Sequence, residues 1–230
     1  FFNLIPLYSI IIPVHNEAKA IPELLEKLRA LSKAGHEILI IDDGSTDNSA
    51  QIISRCNYVK MIRIKINIGK GGAIKEGLNN ASNERIIIFD GDLELNPLEI
   101  SKLMILNRKN GIHSVMGYRF KTLNPIKSSF DWGNFIFTSF FNIVFQSNHK
   151  DILCCAKSFY LDEINMYNIL SDGFDIDVEL SSILTIRDKG KVIPQVRLNY
   201  SRRSIKEGKK LKISDGWPIL ARIIKTIKYI

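Results

Sequence analysis

The sequence predicts an α/β protein: a mostly parallel sheet flanked by helices on both faces, in a single domain. Three observations point there. Short Ile-rich runs alternate with stretches whose apolar residues recur at helical spacing, the pattern of successive βαβ units. The runs are apolar almost throughout, as strands covered on both faces require. Three of them end in polar clusters that would share one edge of such a sheet. The chain has 230 residues, 45% hydrophobic and 24% charged, enough apolar mass for one sizeable core. No internal repeat, low-complexity tract or linker divides it.

The elements follow in order. Leu7 to Val14 (LYSIIIPV) is a buried strand closed by Pro13. Glu17 to Leu31 is a helix, with Ile21, Leu24, Leu25, Leu28 and Leu31 on one face and Pro22 tolerated in the first turn; Gly35 stops it. His36 to Asp42 is the second strand. Thr46 to Cys56 is a helix capped by Thr46 or Asp47. Tyr58 to Ile66 is the third strand, and the Gly-rich "NIGKGGAIKEGLNNA" turns into a helix. Arg85 to Phe89 is the fourth strand, Pro97 to Asn110 a helix, and Ile112 to Tyr118 the fifth strand. The second half is less regular. Phe130 to Phe145 holds six of the twelve Phe residues and Trp132, and Lys191 to Tyr200 reads as a late strand.

In open α/β sheets, ligands bind beyond the carboxyl ends of the strands. The polar clusters there are Pro13/His15/Asn16/Glu17, Asp42/Asp43/Gly44/Ser45 and Asp90/Gly91/Asp92, with Glu94 beyond. Three carboxylates within five positions repel one another, and each raises the pKa of the next. Either a cation sits among them or they spread into solvent as a turn. Asp-x-Asp at a buried strand end suits Mg²⁺ or Mn²⁺, hard cations that take oxygen ligands and share their sphere with substrate phosphates. Asp43 suits the N–H and O–H donors of a base or ribose, although Asp, Gly and Ser are also ordinary turn residues. Gly69-Lys70-Gly71-Gly72 is neither a GxxxxGK[ST] phosphate loop nor a GxGxxG fingerprint. It reads as a helix start shaped for close packing. The four histidines are scattered, and no Ser/His/Asp or Cys/His arrangement suggests nucleophilic catalysis.

The formal charge is +8, and the last 30 residues carry nearly all of it: nine Lys and Arg against Glu207 and Asp215. Such a segment wants an anionic partner, a diphosphate or lipid headgroups. Aromatic interleaving is too sparse for nucleic acid. Cys56, Cys154 and Cys155 lack zinc spacing, so a reducing cytoplasm is expected. No basic stretch precedes an apolar run, so no signal peptide is expected. The sequence opens on Phe1 rather than Met, as a trimmed chain or fragment would. Trp132 to Gln146 is uncharged but too short and polar to span a bilayer, and reads as a core helix. In 217–230, Ile219, Leu220, Ile223, Ile224, Ile227 and Ile230 form one stripe and Arg222, Lys225 and Lys228 another. That pattern fits a helix lying on anionic lipid or one docked with a basic outer face.

With these residues in view, the chain resembles a family 2 glycosyltransferase of the GT-A (Rossmann-like) fold, closest to the polyprenol- or dolichol-phosphate mannosyl- and glucosyltransferase branch. The carrying stretches are "IIIPVHNE" (10–17), "ILIIDDGSTDNS" (38–49), "NIGKGGAIKEGL" (67–78), "IIIFDGDLELNP" (86–97), "MGYR" (116–119), "DGFDIDVEL" (172–180) and "YSRRSIKEGKKLK" (200–212). The resemblance implies an inverting, Mg²⁺- or Mn²⁺-dependent enzyme that moves a sugar from a GDP- or UDP-linked donor to a polyprenyl phosphate. It implies a nucleotide pocket of Pro13, His15, Glu17, Ile41, Asp43 and Gly91, and a metal site of Asp90, Asp92 and Glu94. Arg119 would contact the donor and Glu179 belong to the acceptor-side helix, so that Asp92, Glu179 and Arg119 carry the chemistry. Arg202 or Arg203, with Lys209 or Lys210, would form a basic loop closing over the diphosphate. The expected layout is a nucleotide-binding half at 7–119, an acceptor-side half at 120–213 and an amphipathic helix at 214–230. The protein would sit peripherally on the cytoplasmic face of a membrane or in the cytoplasm.

There are departures. The branch grips its lipid phosphate with Arg and, four residues on, Ser; here Lys127 and Asp131 stand there. "DILCCAK" (151–157) has Cys155 where the branch has Gly. These keep open transfer to a glycan or glycolipid hydroxyl, for which Glu179 or Asp177 would be the base, and a non-catalytic subunit of the same fold. A sugar-nucleotidyltransferase is disfavoured, since "PVHNEAKA" is not a Gly-rich basic loop.

Overall fold

A computed structural model describes residues 6–120, 129–203 and 216–229. A seven-stranded sheet forms its centre: β1 (Tyr8–Val14), β2 (Glu37–Asp43), β3 (Lys60–Ile64), β4 (Arg85–Ile88), β5 (Ser114–Tyr118), β6 (Lys157–Tyr160) and β7 (Gln195–Arg197), in the order β3-β2-β1-β4-β6-β5-β7. Strands β1 to β4 are mutually parallel, β6 runs antiparallel between β4 and β5, and β7 is parallel to β5. The chain steps outward from β1 through β2 to β3 and then returns to β1's other side as β4. The crevice at this reversal is where an open α/β sheet binds ligands. It lies beyond Val14 and Ile88, at two of the polar clusters.

Helices α1 (Ile21–Lys33), α2 (Ser49–Ser54), α3 (Lys70–Asn79), α4 (Ser129–Phe145), α5 (Ile176–Arg187) and α6 (Gly216–Thr226) complete the fold. The period of two along β1 divides its side chains between two cores. Ile10, Ile12 and Val14 pack with Ile21, Leu24 and Leu28 of α1 on one face; Ile11 packs with Ala73, Ile74 and Leu78 of α3 and Leu180 and Leu184 of α5 on the other. A third cluster joins Phe141 and Phe145 of α4 to Val178 of α5 and Ile219 and Ile223 of α6. Among the described residues, no helix is long and apolar enough to cross a membrane.

Several expected boundaries move. The helix expected over 97–110 is two 3₁₀ turns, Pro97–Leu103 and Arg108–Asn110. Asn96 caps the first by accepting from the Leu98 amide, and the helix does not continue past Met104. Strand β7 is shorter than the expected 191–200. Strand β6 and helix α5 arise in the half that showed no clear period.

Candidate active site

One cleft of about 880 Å³ runs along the carboxyl edge of the sheet. Its polar end is built from the β1 and β2 exits. Asn16 stands in the left-handed region (φ 52°), where non-glycine residues are uncommon. From there its side-chain oxygen accepts from the Thr46 and Asp47 amides at 2.8 and 3.3 Å, tying the two exits together. His15 Nδ1 lies 2.6 Å from the Asp43 carbonyl. The Asp43 carboxylate accepts from the Ile68 and Gly69 amides at 2.8 and 2.9 Å, which anchors the turn entering α3. Each oxygen keeps acceptor room for a ligand N–H or O–H.

The middle of the cleft holds the carboxylates and a lysine. Lys70 reaches Asp90 at 2.8 Å and Asp177, at the start of α5, at 2.9 Å. Burial pushes the Asp90 carboxyl up, but the Lys70 ammonium outweighs it and holds Asp90 below the usual carboxylate range. At Asp92, burial, then the charges of Asp90 and Glu94, push the carboxyl up to about 7. Leu93 between them is left-handed (φ 63°), a strained turn of the kind that collects at functional sites. Gly91 lets this turn close, since a Cβ there would meet Val14 Cγ1 at 2.5 Å. The Glu94 carboxylate accepts from the Arg203 amide at 2.9 Å.

Asp90 and Asp92 stand together in the cleft, the kind of oxygen set that a divalent cation shares with substrate phosphates. Among the described residues, no three His, Cys, Asp or Glu side chains converge with metal-binding geometry. Of the expected Asp90/Asp92/Glu94 trio, Asp90 and Asp92 line the cleft beside Glu94, whose Oε1 accepts from the Arg203 amide.

The basic residues sit around these acids. Arg119 lines the cleft, with Nε and Nη2 on Asp151 at 2.7 and 2.9 Å and its guanidinium near the Phe120 and Tyr200 rings. Burial disfavours its charge, but Asp151 outweighs that and holds its pKa well above the usual value. Ser201 donates its amide to the Glu94 carbonyl at 2.8 Å, which brings Arg202 and Arg203 over the carboxylates. Arg203 reaches Glu17 at 2.9 Å and the Asp92 carbonyl at 3.2 Å. Arg202 pairs with Asp131. The acid that was unexpected beside a lipid phosphate is thus compensated by an arginine 71 residues away in sequence. Lys209, Lys210 and Lys127 lie outside the described residues.

Three expectations do not hold. Ile41 is fully buried beneath α3 and belongs to the core, so it is not in the nucleotide pocket. Glu179 is not in the cleft. Its carboxylate accepts from the Leu170 and Ser171 amides and from Arg222. Arg222 in turn is an inward residue of α6 and not part of an outer basic stripe. Lys70 was missed because close packing alone accounted for its glycines. A lysine within a Gly-rich helix start after a parallel strand was the available signal.

The far end of the cleft is apolar, walled by Trp132 and Phe137 of α4, Leu153, Phe174 and Ile219 of α6. On the other side of α6, Trp217, Ile224 and Ile227 are exposed.

Comparison with known proteins agrees with this architecture. The family model "Glycosyl transferase family 2" matches residues 9–165. An undecaprenyl-phosphate 4-deoxy-4-formamido-L-arabinose transferase from Proteus mirabilis is 36% identical over 111 residues, 45% of this chain. The enzyme of the same name from Yersinia enterocolitica is 36% identical over 104 residues, 42% of this chain. These matches span only 34% and 32% of the relatives' own lengths. Glucosyl-3-phosphoglycerate synthase from Mycobacterium tuberculosis, crystallised with Mn²⁺, UDP and glucosyl-3-phosphoglycerate, superposes with a TM-score of 0.76. The superposition covers 97% of this chain and 80% of that one at 16% identity, a likeness of fold. The same enzyme with Mg²⁺ and UDP gives 0.72 at 15% identity, covering 97% of this chain and 80% of that one.

Proposed function

The chain belongs to glycosyl transferase family 2, and from that premise we propose that it moves a sugar from a nucleoside-diphosphate donor to a polyprenyl phosphate, with inversion. The observation that carries this reading is one continuous cleft, lined by the carboxylates Asp43, Asp90 and Asp92 and also by the apolar Trp132, Phe137, Leu153, Phe174 and Ile219. A soluble sugar acceptor would not need the wall of Trp132, Phe137, Leu153, Phe174 and Ile219; an isoprenoid chain would. The relatives' names carry undecaprenyl rather than dolichyl phosphate, so undecaprenyl phosphate is the first acceptor to assay.

The nucleoside occupies the His15/Asp43 end in this reading, in the nucleotide-binding half at 7–119, with the acceptor-side half at 120–213 facing it. Asp92, with Asp90 beside it, would hold Mg²⁺ or Mn²⁺. When bound, the ion supplies positive charge to the leaving diphosphate. Lys70, Arg119 and Arg203 add fixed positive charge around the same place, which favours the charge that develops as the sugar C1–O bond to the diphosphate breaks. The acceptor phosphate oxygen forms the new C1–O bond. It is already ionised, so no residue need take its proton.

The direct test is a screen of GDP- and UDP-sugars with Mn²⁺ and a short-chain polyprenyl phosphate. Formation of a lipid-linked sugar supports the reading. Transfer only to a hydroxyl acceptor overturns it in favour of a second reading, for which one observation speaks: Asp177 Oδ1 is buried without a hydrogen-bond partner among the described residues, while Oδ2 is held by Lys70. Asp177 would then be the base. Asp177→Asn separates the two. With a phosphate acceptor it should cost about tenfold or less, and with a hydroxyl acceptor on the order of a hundredfold or more.

Asp43→Ala should raise the donor KM more than it lowers kcat, because a base or ribose contact persists unchanged into the transition state. An unchanged KM with a collapsed kcat would move Asp43 into the chemistry.

We also propose that α6 rests on a membrane surface through Trp217, Ile224 and Ile227, with Lys225 and Lys228 at its edge. Neutralising both lysines should weaken binding to anionic vesicles by about 1 kcal/mol per charge and lessen its salt dependence. Transfer to a soluble short-chain acceptor should be spared. Vesicle binding indifferent to both lysines would remove α6 from the membrane.

A further inference from the structure

Arg222 lies on the inner side of α6 and ties this helix ionically to α5. Its Nε donates to Asp175 Oδ2 and its Nη1 to Glu179 Oε1, both at 2.9 Å. These carboxylates also grip the turn before α5. Glu179 Oε2 accepts from the Leu170 and Ser171 amides at 3.0 and 2.8 Å, and Asp175 Oδ2 accepts from the Ser171 hydroxyl at 2.8 Å.

The turn is pressed against the start of α3. The Asp172 carbonyl accepts from the Gly71 amide at 2.8 Å and the Gly72 amide at 3.3 Å. The approach is so close that a Cβ on Gly69 would lie 2.3 Å from the Asp172 oxygen, and one on Gly71 2.2 Å from the Ser171 oxygen. Lys70 stands between those glycines, and its ammonium bridges Asp90 and Asp177. An unbroken set of polar contacts therefore runs from α6 through two buried acids and one turn to the lysine beside the cleft carboxylates.

We propose that Arg222 is a positioning residue for transfer: by fixing the 170–172 turn on the Gly69–Gly72 helix start, it sets Lys70 across Asp90 and Asp177. Arg suits the task because its rigid fork meets two carboxylates at once. Removing it leaves Asp175 and Glu179 buried with one fewer cation. Their repulsion would loosen the turn and, with it, the seat of Lys70. The inference rests on the proposed function for its catalytic consequence but not for its structural one.

The test compares wild-type protein with Arg222→Met and Arg222→Lys. Hydrogen exchange is read at the Gly71 and Gly72 amides, binding of GDP and UDP with Mn²⁺ by calorimetry, and turnover with a soluble short-chain acceptor. Arg222→Met should speed exchange at Gly71 and Gly72 by about tenfold or more, while β1 and β2 stay protected. It should weaken diphosphate binding and lower kcat/KM by about tenfold each. Arg222→Lys should recover part of both, since one ammonium can still reach one carboxylate. Faster exchange confined to α6, with Gly71 and Gly72 unchanged, overturns the proposal, as do unchanged binding and turnover in a wild type that shows both. If the wild type neither binds diphosphates nor transfers sugar, the functional reading fails. The exchange arm then still decides whether Arg222 seats Lys70.

Discussion

Asp92→Asn is expected to abolish transfer, by about a thousandfold or more, in a protein that stays folded. Asn keeps the size and one acceptor of Asp but loses the charge that a divalent cation and its diphosphate need. The fold should not suffer, because the wild-type carboxyl is already unfavourably placed. Burial, Asp90 and Glu94 raise it to about 7. A carboxyl whose folded pKa lies above its unfolded value favours the folded state in its protonated form. That contribution is fully present below the unfolded value, near 4, and is lost as pH rises through 7. The substitution removes this pH-dependent loss. Wild type and variant should differ least near pH 4, and the variant should be more stable at pH 8 by about 1–2 kcal/mol, less than the full shift implies because the carboxyl borders an open cleft. Denaturant melts at the two pH values check the stability, and Mn²⁺ titration checks the metal. Wild-type kcat at saturating Mn²⁺ in the variant would remove Asp92 from the site.

The parts that were legible in the sequence share a cause. Parallel strands such as β1 and β2 are covered on both faces, so their residues must be apolar throughout, and the polar residues that end them stand out. That made the carboxyl edge and its three clusters readable. Strand β6 was not, because "KSFY" opens with Lys and Ser, both buried by tertiary contacts that no local period records. Helix α5 buries residues on all sides, Asp177, Glu179, Ser181 and Ser182 among them, so it shows no apolar stripe to mark it. Arg222 was misplaced because a charge on a helix reads as exposed until its partner is found, and here that partner, Glu179, stands 43 residues away; Glu179 was placed by the resemblance alone, which carries no record of this pairing. Asp131 and Arg202 repeat the case. Ile41 shares a face with Asp43, but two residues further into the sheet that face is covered by α3.

Lys70→Met should show the second large effect, and in both stability and turnover. The side chain is held between Asp90 and Asp177, so its removal leaves one buried and one partly buried carboxylate without their shared cation. Breaking a buried pair in this way costs roughly 3–5 kcal/mol. The deficit should depend on pH in a set direction. In the wild type, the Asp90 pKa is held below its unfolded value, with Lys70 outweighing burial. A depressed carboxyl contributes stability above the unfolded value and loses it as pH falls through the folded one. Without Lys70 that contribution disappears, and burial alone acts on Asp90 in the opposite sense. Wild type and variant should therefore stand furthest apart at pH 7 and draw together as pH falls below about 4, toward the depressed value of Asp90. Urea melts across that range measure this. Under conditions where the variant is folded, kcat/KM should fall by about a hundredfold, from losing a fixed positive charge beside the leaving diphosphate. Lys70→Arg should keep most of the stability, since it retains the cation, yet recover little activity, because a planar guanidinium cannot occupy the point between the two acids that the ammonium fills. A variant pair equally active and equally stable at pH 7 would show that Lys70 only packs the start of α3. That was the reading its glycines first suggested.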